Sequence, residues 1–215
     1  MTSANPLKLY FWAVAAAFGI SFVLTPIVRW IAIRRNWFDT PSSSVKTHKV
    51  ATPSLGGIAI YAGFVGTLLL LRFWTTFPTG TLRSLRALVI GGTIVFALGI
   101  IDDLRKPQGL GVKSKFLGQA LAAGVLLWFG IHINFLRPEY LGMALSLLWV
   151  VGITNAFNIV DIMDGLSSSL AVIAALCFLM ISLPSEELYV NFASAALAGA
   201  AAGFLPWNIS NRGKI

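Results

Sequence analysis

Asn155-Ala-Phe-Asn158-Ile-Val-Asp161-Ile-Met-Asp164-Gly165-Leu166 lies between two long apolar runs, 141–154 and 166–183. Two amides and two carboxylates recur at every third position, and a glycine follows. On a helix these four side chains form a stripe that drifts slowly round one side. Gly165 stands where a helix C-terminus is expected. Polar groups this dense in an apolar chain are costly unless they bind something. A carboxylate at the bilayer centre costs on the order of 2.5–3.5 kcal/mol by insertion scales, and far less at the lipid–water boundary. The stretch therefore reads as a polar floor at the membrane surface. It offers oxygens to a metal ion, or donors and acceptors to a ligand.

The composition around it sets the class. The chain has 215 residues, 57% hydrophobic and 11% charged, where a soluble domain carries roughly 25% charge. This is an all-α, polytopic membrane helix bundle. The net charge of +8 fits the positive-inside rule acting on short loops better than nucleic-acid binding. Cys177 is the only cysteine. It has no disulfide partner and belongs to no metal motif, so it reads as a buried core thiol. The apolar run from Leu9 is too long for a signal h-region, and Arg29 follows where small cleavage residues would sit. It reads as a retained first span.

Seven candidate spans follow from hydropathy: 9–31, 54–71, 87–101, 114–131, 141–157, 166–183 and 188–205. The loops after spans 1, 3, 5 and 7 hold eleven of the 16 Lys and Arg residues, among them Arg34, Arg35, Lys46, Lys49, Arg105, Lys106, Lys113 and Lys115. That puts these loops in the cytoplasm and the N-terminus outside. Asp39, Asp102, Asp103, Asp161 and Asp164 share the cytoplasmic side, while Glu139, Glu186 and Glu187 take the other. His132 falls at the outer end of span 4 and reads as interfacial. Ala195, Ala196, Ala198, Gly199 and Ala200 in span 7 predict close helix packing.

Two further stretches carry chemistry. The first loop contains Lys46-Thr-His48-Lys49 and Pro53-Ser-Leu-Gly56-Gly57. It could hold phosphates through lysine, histidine and free backbone N–H groups at a helix start, or be an ordinary basic loop. Span 3 runs into Asp102-Asp103-Leu-Arg105-Lys106. Two adjacent carboxylates repel unless a cation compensates. They suit metal or phosphate chemistry or a general base; the plain alternative is a solvated helix end paired to Arg105 and Lys106. Lys115, in the next span, could reach a phosphate held by the aspartates or could snorkel to the interface.

Taken in order, Lys46-Thr-His48-Lys49…Pro53-Ser-Leu-Gly56-Gly57, Asp102-Asp103 and Asn155-x-x-Asn158-x-x-Asp161-x-x-Asp164-Gly165-Leu166 resemble the polyprenyl-phosphate N-acetylhexosamine-1-phosphate transferases (glycosyltransferase family 4 type). Gly203-Phe204-Leu205-Pro206-Trp207-Asn208 looks like the lead-in to that family's next acidic motif. The resemblance implies transfer of N-acetylhexosamine-1-phosphate from a UDP-sugar to a polyprenyl phosphate at the cytoplasmic face of the cell membrane, with release of UMP. The short loops favour the N-acetylglucosamine type over the muramoyl-pentapeptide type. It implies Mg2+ as cofactor and leaves a homodimer open. Asp102, Asp103 and Asp161 are the implied catalytic residues, the first two facing the lipid phosphate. Asn158 is the implied magnesium ligand. Asp164, Asn155, Lys115, Lys49 and His48 make up the implied substrate-binding set.

This chain departs from the family pattern in two places. Asp161 is followed by Ile162 where the family often has glycine. The family's Gly-Asp magnesium motif, its histidine-rich loop and about three further helices would follow Ile215. The expectation is a single transmembrane catalytic domain over 1–215, C-terminally incomplete, with about seven of about ten helices. Two rivals come from other classes. An intramembrane aspartyl protease would carry its acids at depth within spans. A transporter would distribute polar groups along them. Here all eight acids fall near span ends or in loops. A CDP-alcohol phosphotransferase would show a longer Asp-Gly-x-x-Ala-Arg pattern, which is not found.

Overall fold

The computed structural model describes residues 6–39, 52–106, 108–161, 163–185, 187–209 and 215. Seven α-helices form among them: α1 (Pro6–Arg34), α2 (Gly57–Trp74), α3 (Thr79–Leu104), α4 (Val112–Trp128), α5 (Glu139–Val160), α6 (Leu166–Ser182) and α7 (Leu188–Ile209). Each expected span is a helix. Five of them, α1, α3, α5, α6 with its short 3-10 extension, and α7, are long and apolar enough to cross a membrane. The protein is a multi-pass membrane helix bundle. The only sheet among the described residues is a two-residue antiparallel pairing of β1 (Phe38–Asp39) with β2 (Thr52–Pro53).

The third span is longer than expected, 26 residues instead of 87–101. Arg83 and Arg86 lie in its first two turns, ahead of the apolar run from Ala87. At 1.5 Å per residue the helix runs about 39 Å, against about 30 Å of hydrocarbon. Its first two turns therefore have room to lie among the headgroups, where arginine is tolerated.

The chain packs as two compact units, residues 1–78 with 162–215, and residues 79–161. In the first unit, α7 packs against α1, α2 and α6. Its buried stripe includes Ala195, Ala196, Ala198, Gly199, Ala200 and Gly203, as the small residues predict. A Cβ on Gly199 or Gly203 would collide with the backbone carbonyl of Val14 or Phe18 on α1. On α2, a Cβ at Gly63 would come 2.9 Å from the Ala17 carbonyl and 3.1 Å from Ala200. This is small-residue packing, with backbones in near contact. Asn191, only 1% exposed, is the main polar group at one end of this core. Its amide donates to the Tyr10 hydroxyl at 3.2 Å, and its carbonyl oxygen accepts from Ser182. Asn191 thereby joins α1, α6 and α7 without an unmet polar group.

At the other end of this unit, the Ser54 N–H donates to the Trp37 carbonyl at 3.1 Å, beside the β1–β2 pairing. A Cβ on Gly56 would meet Phe204 at 2.6 Å, so the start of α2 abuts the end of α7. The Gly165 N–H donates to Asn208 Oδ1 at 2.7 Å, and Asn208 Nδ2 donates to the Ile215 carbonyl at 2.9 Å. The described parts of the first, fifth and seventh loops, which charge assigned to one membrane side, therefore gather at one end of this unit.

Three expectations are corrected here. The stripe from Asn155 to Asp164 is not one helix: α5 stops at Val160, and Asp161 is its C-cap. Gly165 is left-handed at φ +73°, yet it precedes α6 instead of closing α5. Cys177 is exposed, not buried. An apolar run is no guide to burial in a membrane, because lipid accepts an apolar face as readily as protein does.

In the second unit α3, α4 and α5 pack in sequence order. Leu98 of α3 lies so close over Gly118 of α4 that no Cβ fits there. Ala122 and Ala123 are buried beside it. The α4–α5 connection is tied by the Ile133 N–H donating to Ser146 Oγ at 2.8 Å. His132 sits 3.4 Å from Glu139, both from the side opposite to the aspartates.

Candidate functional site

Asp102 lies in the last turn of α3. Its Oδ2 is 2.8 Å from Lys115 Nζ, in the first turn of α4. Its Oδ1 accepts the Leu110 N–H at 2.6 Å. Gly109, at φ +64°, brings the connecting loop so close that a Cβ there would stand 2.8 Å from Asp102 Oδ1. Both charges oppose their own helix dipoles, an acid at a C-terminus and a base at an N-terminus. Each helix alone would favour the reverse placement. The pairing compensates that cost, and the placement serves the cleft the two residues line.

Asp103 behaves differently. It pairs with Lys106 at 2.8 Å within its own turn. For Asp103 the plain reading, a helix-end carboxylate with a local basic partner, describes the geometry. The two adjacent aspartates are therefore not equivalent, which their adjacency alone could not reveal.

One turn beyond Lys115, Gln119 is buried at 4% exposure. Its Oε1 accepts from Asn155 Nδ2 at 2.6 Å, and the same Nδ2 donates to the Val151 carbonyl at 2.9 Å. Asn158 follows one turn along α5. These helices enclose a cleft of about 100 Å³, lined by Asp102, Lys115, Gln119, Thr154 and Asn158 on its polar side and by Val95, Leu98 and Gly99 of α3 on its apolar side. Gln119 was not singled out in the sequence. The available signal was an amide inside an apolar run, four residues after Lys115 and hence on the same helix face.

Of the nine candidate residues, Asp102, Lys115 and Asn158 line this cleft and Asn155 braces it. Asp161 ends α5, its N–H donating to the Phe157 carbonyl at 3.1 Å, and its side chain is exposed. Asp164 is exposed in the turn before Gly165 and belongs to the first unit. His48 and Lys49 lie outside the described residues. No group of three or more His, Cys, Asp or Glu side chains gathers among the described residues. Both oxygens of Asp102 are engaged, and Asn158 offers a neutral oxygen. Magnesium prefers carboxylates and phosphates, so the residues of this cleft do not by themselves fit it. What they do offer is a lysine–aspartate pair and several amide groups, and Lys115 can meet an anionic oxygen by exchanging its contact with Asp102.

The fold and this cleft define a multi-pass membrane protein with a polar, anion-suited site where three helix ends meet. Residues 85–215 match glycosyl transferase family 4, and the matched region contains every residue lining the cleft. The chain belongs to that family. It is 33% identical over 195 residues to a probable undecaprenyl-phosphate N-acetylglucosaminyl 1-phosphate transferase of Bacillus subtilis, covering 86% of this chain and 52% of the relative. It is 33% identical over 217 residues to decaprenyl-phosphate N-acetylglucosaminephosphotransferase of Mycobacterium tuberculosis, covering 91% and 52%. A phospho-N-acetylmuramoyl-pentapeptide-transferase of Desulforudis audaxviator is 31% identical over 231 residues, covering 91% and 67%. The chain spans about half the length of the first two.

Proposed function

We propose that this protein transfers N-acetylglucosamine-1-phosphate from a UDP-sugar to a polyprenyl phosphate at the cytoplasmic face of the cell membrane. A phosphate oxygen of the lipid attacks the sugar-bearing phosphorus of the UDP-sugar. The bond to UMP breaks, UMP leaves, and a lipid-linked diphospho-sugar remains. The observation that carries this reading is the Asp102–Lys115 pair, opening with Gln119 and Asn158 onto a cleft bounded by apolar α3 residues. Such a site is suited to a phosphate that arrives attached to a lipid. The N-acetylglucosamine relatives, at 33% identity, support that sugar over the muramoyl-pentapeptide.

In this reading Lys115 exchanges its contact with Asp102 for a phosphate oxygen and offsets charge as two anions approach. Asp102, fixed by the Leu110 N–H, then faces the attacking oxygen as its base. Asp103 faces the lipid phosphate beside Asp102, and Asp161 and Asp164 orient the sugar nucleotide, with Asn155 bracing α4 against α5. His48 and Lys49 belong to the same substrate-binding set. Magnesium enters from the family resemblance alone. It would need a carboxylate beyond this cleft, with Asn158 as one oxygen donor, and it would offset phosphate charge.

The test is transfer of radiolabelled sugar phosphate by the full-length protein into organic-extractable lipid. UDP-N-acetylglucosamine and UDP-N-acetylmuramoyl-pentapeptide are offered in parallel with undecaprenyl phosphate. The expected product forms from the first donor. Product from the second donor alone would replace the sugar assignment, and none from either would overturn the proposal.

A further inference from the structure

Gln119 carries an unmet donor. A primary amide has two N–H donors and an acceptor oxygen, and its two ends are told apart by their partners. The Val151 carbonyl can only accept, so the Asn155 atom 2.9 Å from it is the NH2 group. That same NH2 reaches Gln119 at 2.6 Å, so the Gln119 atom it meets is the oxygen. Gln119 Nε2 and both its hydrogens are left over, and no described residue accepts from them. The enclosed side-chain atoms without a partner among the described residues are Ser21 Oγ and Thr67 Oγ1, so Gln119 Nε2 keeps open surface on which a ligand can meet it. It belongs to a residue that lines the cleft beside Lys115, Asp102 and Asn158.

The neighbours say what would meet it. Lys115 sits one turn away on the same face of α4 and supplies a cation. Lys115 is paired with Asp102 and brings its cation to a ligand by exchanging that contact, while the Leu110 N–H continues to hold the carboxylate. A donor and a cation together select an anionic oxygen. The cleft, at about 100 Å³, equals roughly three water volumes in the liquid. That is room for a phosphoryl group. Val95, Leu98, Gly99 and Asp102 stand on one face of α3, so the apolar wall continues inward from the carboxylate.

We propose that the Gln119 side-chain amide is a phosphate-binding donor on the floor of the cleft, held in that orientation by Asn155. The proposal builds on the phosphoryl-transfer reading and adds a residue to it. The phosphate could belong to the lipid headgroup or to the diphosphate of the sugar nucleotide.

Two variants of the full-length protein separate this role from a purely structural one. Gln119→Glu keeps the oxygen that Asn155 needs and replaces the donor with a second oxygen facing the phosphate. Gln119→Leu removes both. A phosphate donor predicts that Gln119→Glu lowers kcat/KM by about ten- to a hundredfold, the scale of one hydrogen bond to a charged group, and at least as far as Gln119→Leu does. A structural brace predicts the reverse order, with Gln119→Glu near wild type. A second readout needs no turnover: the melting temperature of each purified protein with undecaprenyl phosphate, undecaprenol or UDP-N-acetylglucosamine. The increment of undecaprenyl phosphate over undecaprenol should be lost in Gln119→Glu, while its unliganded melting temperature stays near wild type. Loss confined to undecaprenyl phosphate assigns the lipid headgroup, and loss confined to UDP-N-acetylglucosamine assigns the nucleotide diphosphate; either supports the donor. Wild-type phosphate stabilisation and turnover in Gln119→Glu would overturn it. If the wild type transfers nothing yet Gln119→Glu still loses the phosphate increment, the donor stands and the transferase reading falls.

Discussion

Gly109→Ala should cripple the site without removing any functional group. Gly109 holds φ +64°, a conformation that costs an L-residue about 1–2 kcal/mol. Its new Cβ would stand 2.8 Å from Asp102 Oδ1, where a relaxed carbon–oxygen contact is about 3.3–3.6 Å. The carboxylate must retreat by roughly half an ångström or the loop must lift. Either movement stretches the 2.6 Å bond from the Leu110 N–H and the 2.8 Å contact with Lys115. Hydrogen bonds to a charged group are worth about 1.5–3 kcal/mol. Losing half of that at the reacting carboxylate corresponds to roughly a tenfold fall in rate, and misplacement at a reacting centre can cost about a hundredfold. Turnover of full-length Gly109→Ala should therefore fall about ten- to a hundredfold. The control is Gly111→Ala, two residues on, at φ −61° with nothing within 4 Å of its added carbon. It should stay within about twofold of wild type, the scale of a surface change. The assay is radiolabelled sugar-phosphate transfer into extractable lipid, normalised to folded protein by size-exclusion chromatography. Equal activity of the two variants would refute the claim that this loop shapes Asp102.

Asp102→Asn, Asp103→Asn and Asp161→Asn should each lower turnover at least about a hundredfold, the scale of one acid–base or charge-stabilising group; near-normal transfer in all three would remove the assignment. Gly199→Leu and Gly203→Leu should each destabilise the first unit by about 1–3 kcal/mol, the range for overpacking, because the Val14 and Phe18 carbonyls they meet are backbone atoms that cannot swing aside. Unfolding in graded SDS measures this, and unchanged midpoints would contradict the packing. Chelation by EDTA should abolish transfer by the full-length protein and added magnesium should restore it; full activity in EDTA would separate this protein from the metal dependence its family resemblance implies.

The helices were legible because hydrocarbon demands long apolar runs with internally satisfied backbones. Where reading failed, the physics of the solvent explains it. Arg83 and Arg86 interrupt the apolar pattern of the third span, yet headgroups accept them and the helix runs on through them. Cys177 was placed inside because apolar surroundings signal burial only when the alternative is water. The site was half legible. Asp102 and Lys115 stood out as charges beside apolar runs. Which aspartate faces the cleft depends on the path of the 105–111 loop, and hence on Gly109, which no side-chain chemistry in the sequence advertises. Gln119 was silent because a lone amide in a helix is ordinary. Its meaning comes from Asn155, 36 residues away, occupying its oxygen.

The three-residue spacing of the central motif misled for a geometric reason. Each step of three residues turns an α-helix about 300°, so four such positions drift by about 180° from first to last. An unbroken helix would have turned Asp164 away from Asn155. The helix does not continue: α5 ends at Val160 and α6 starts at Leu166. The restart is fixed by Gly165, whose left-handed φ and N–H bond to Asn208 set the entry of α6. A Cβ at Gly165 would also strike Ile209 at 2.6 Å, so the end of α7 leaves no space for a larger residue there. Asn155 and Asn158 therefore take their direction from α5, as helix residues must. Asp164 takes its direction from the turn that Asn208 anchors. The motif is read more accurately as the end of α5 followed by a turn that Asn208 anchors at Gly165, and Asp164 stands in that turn.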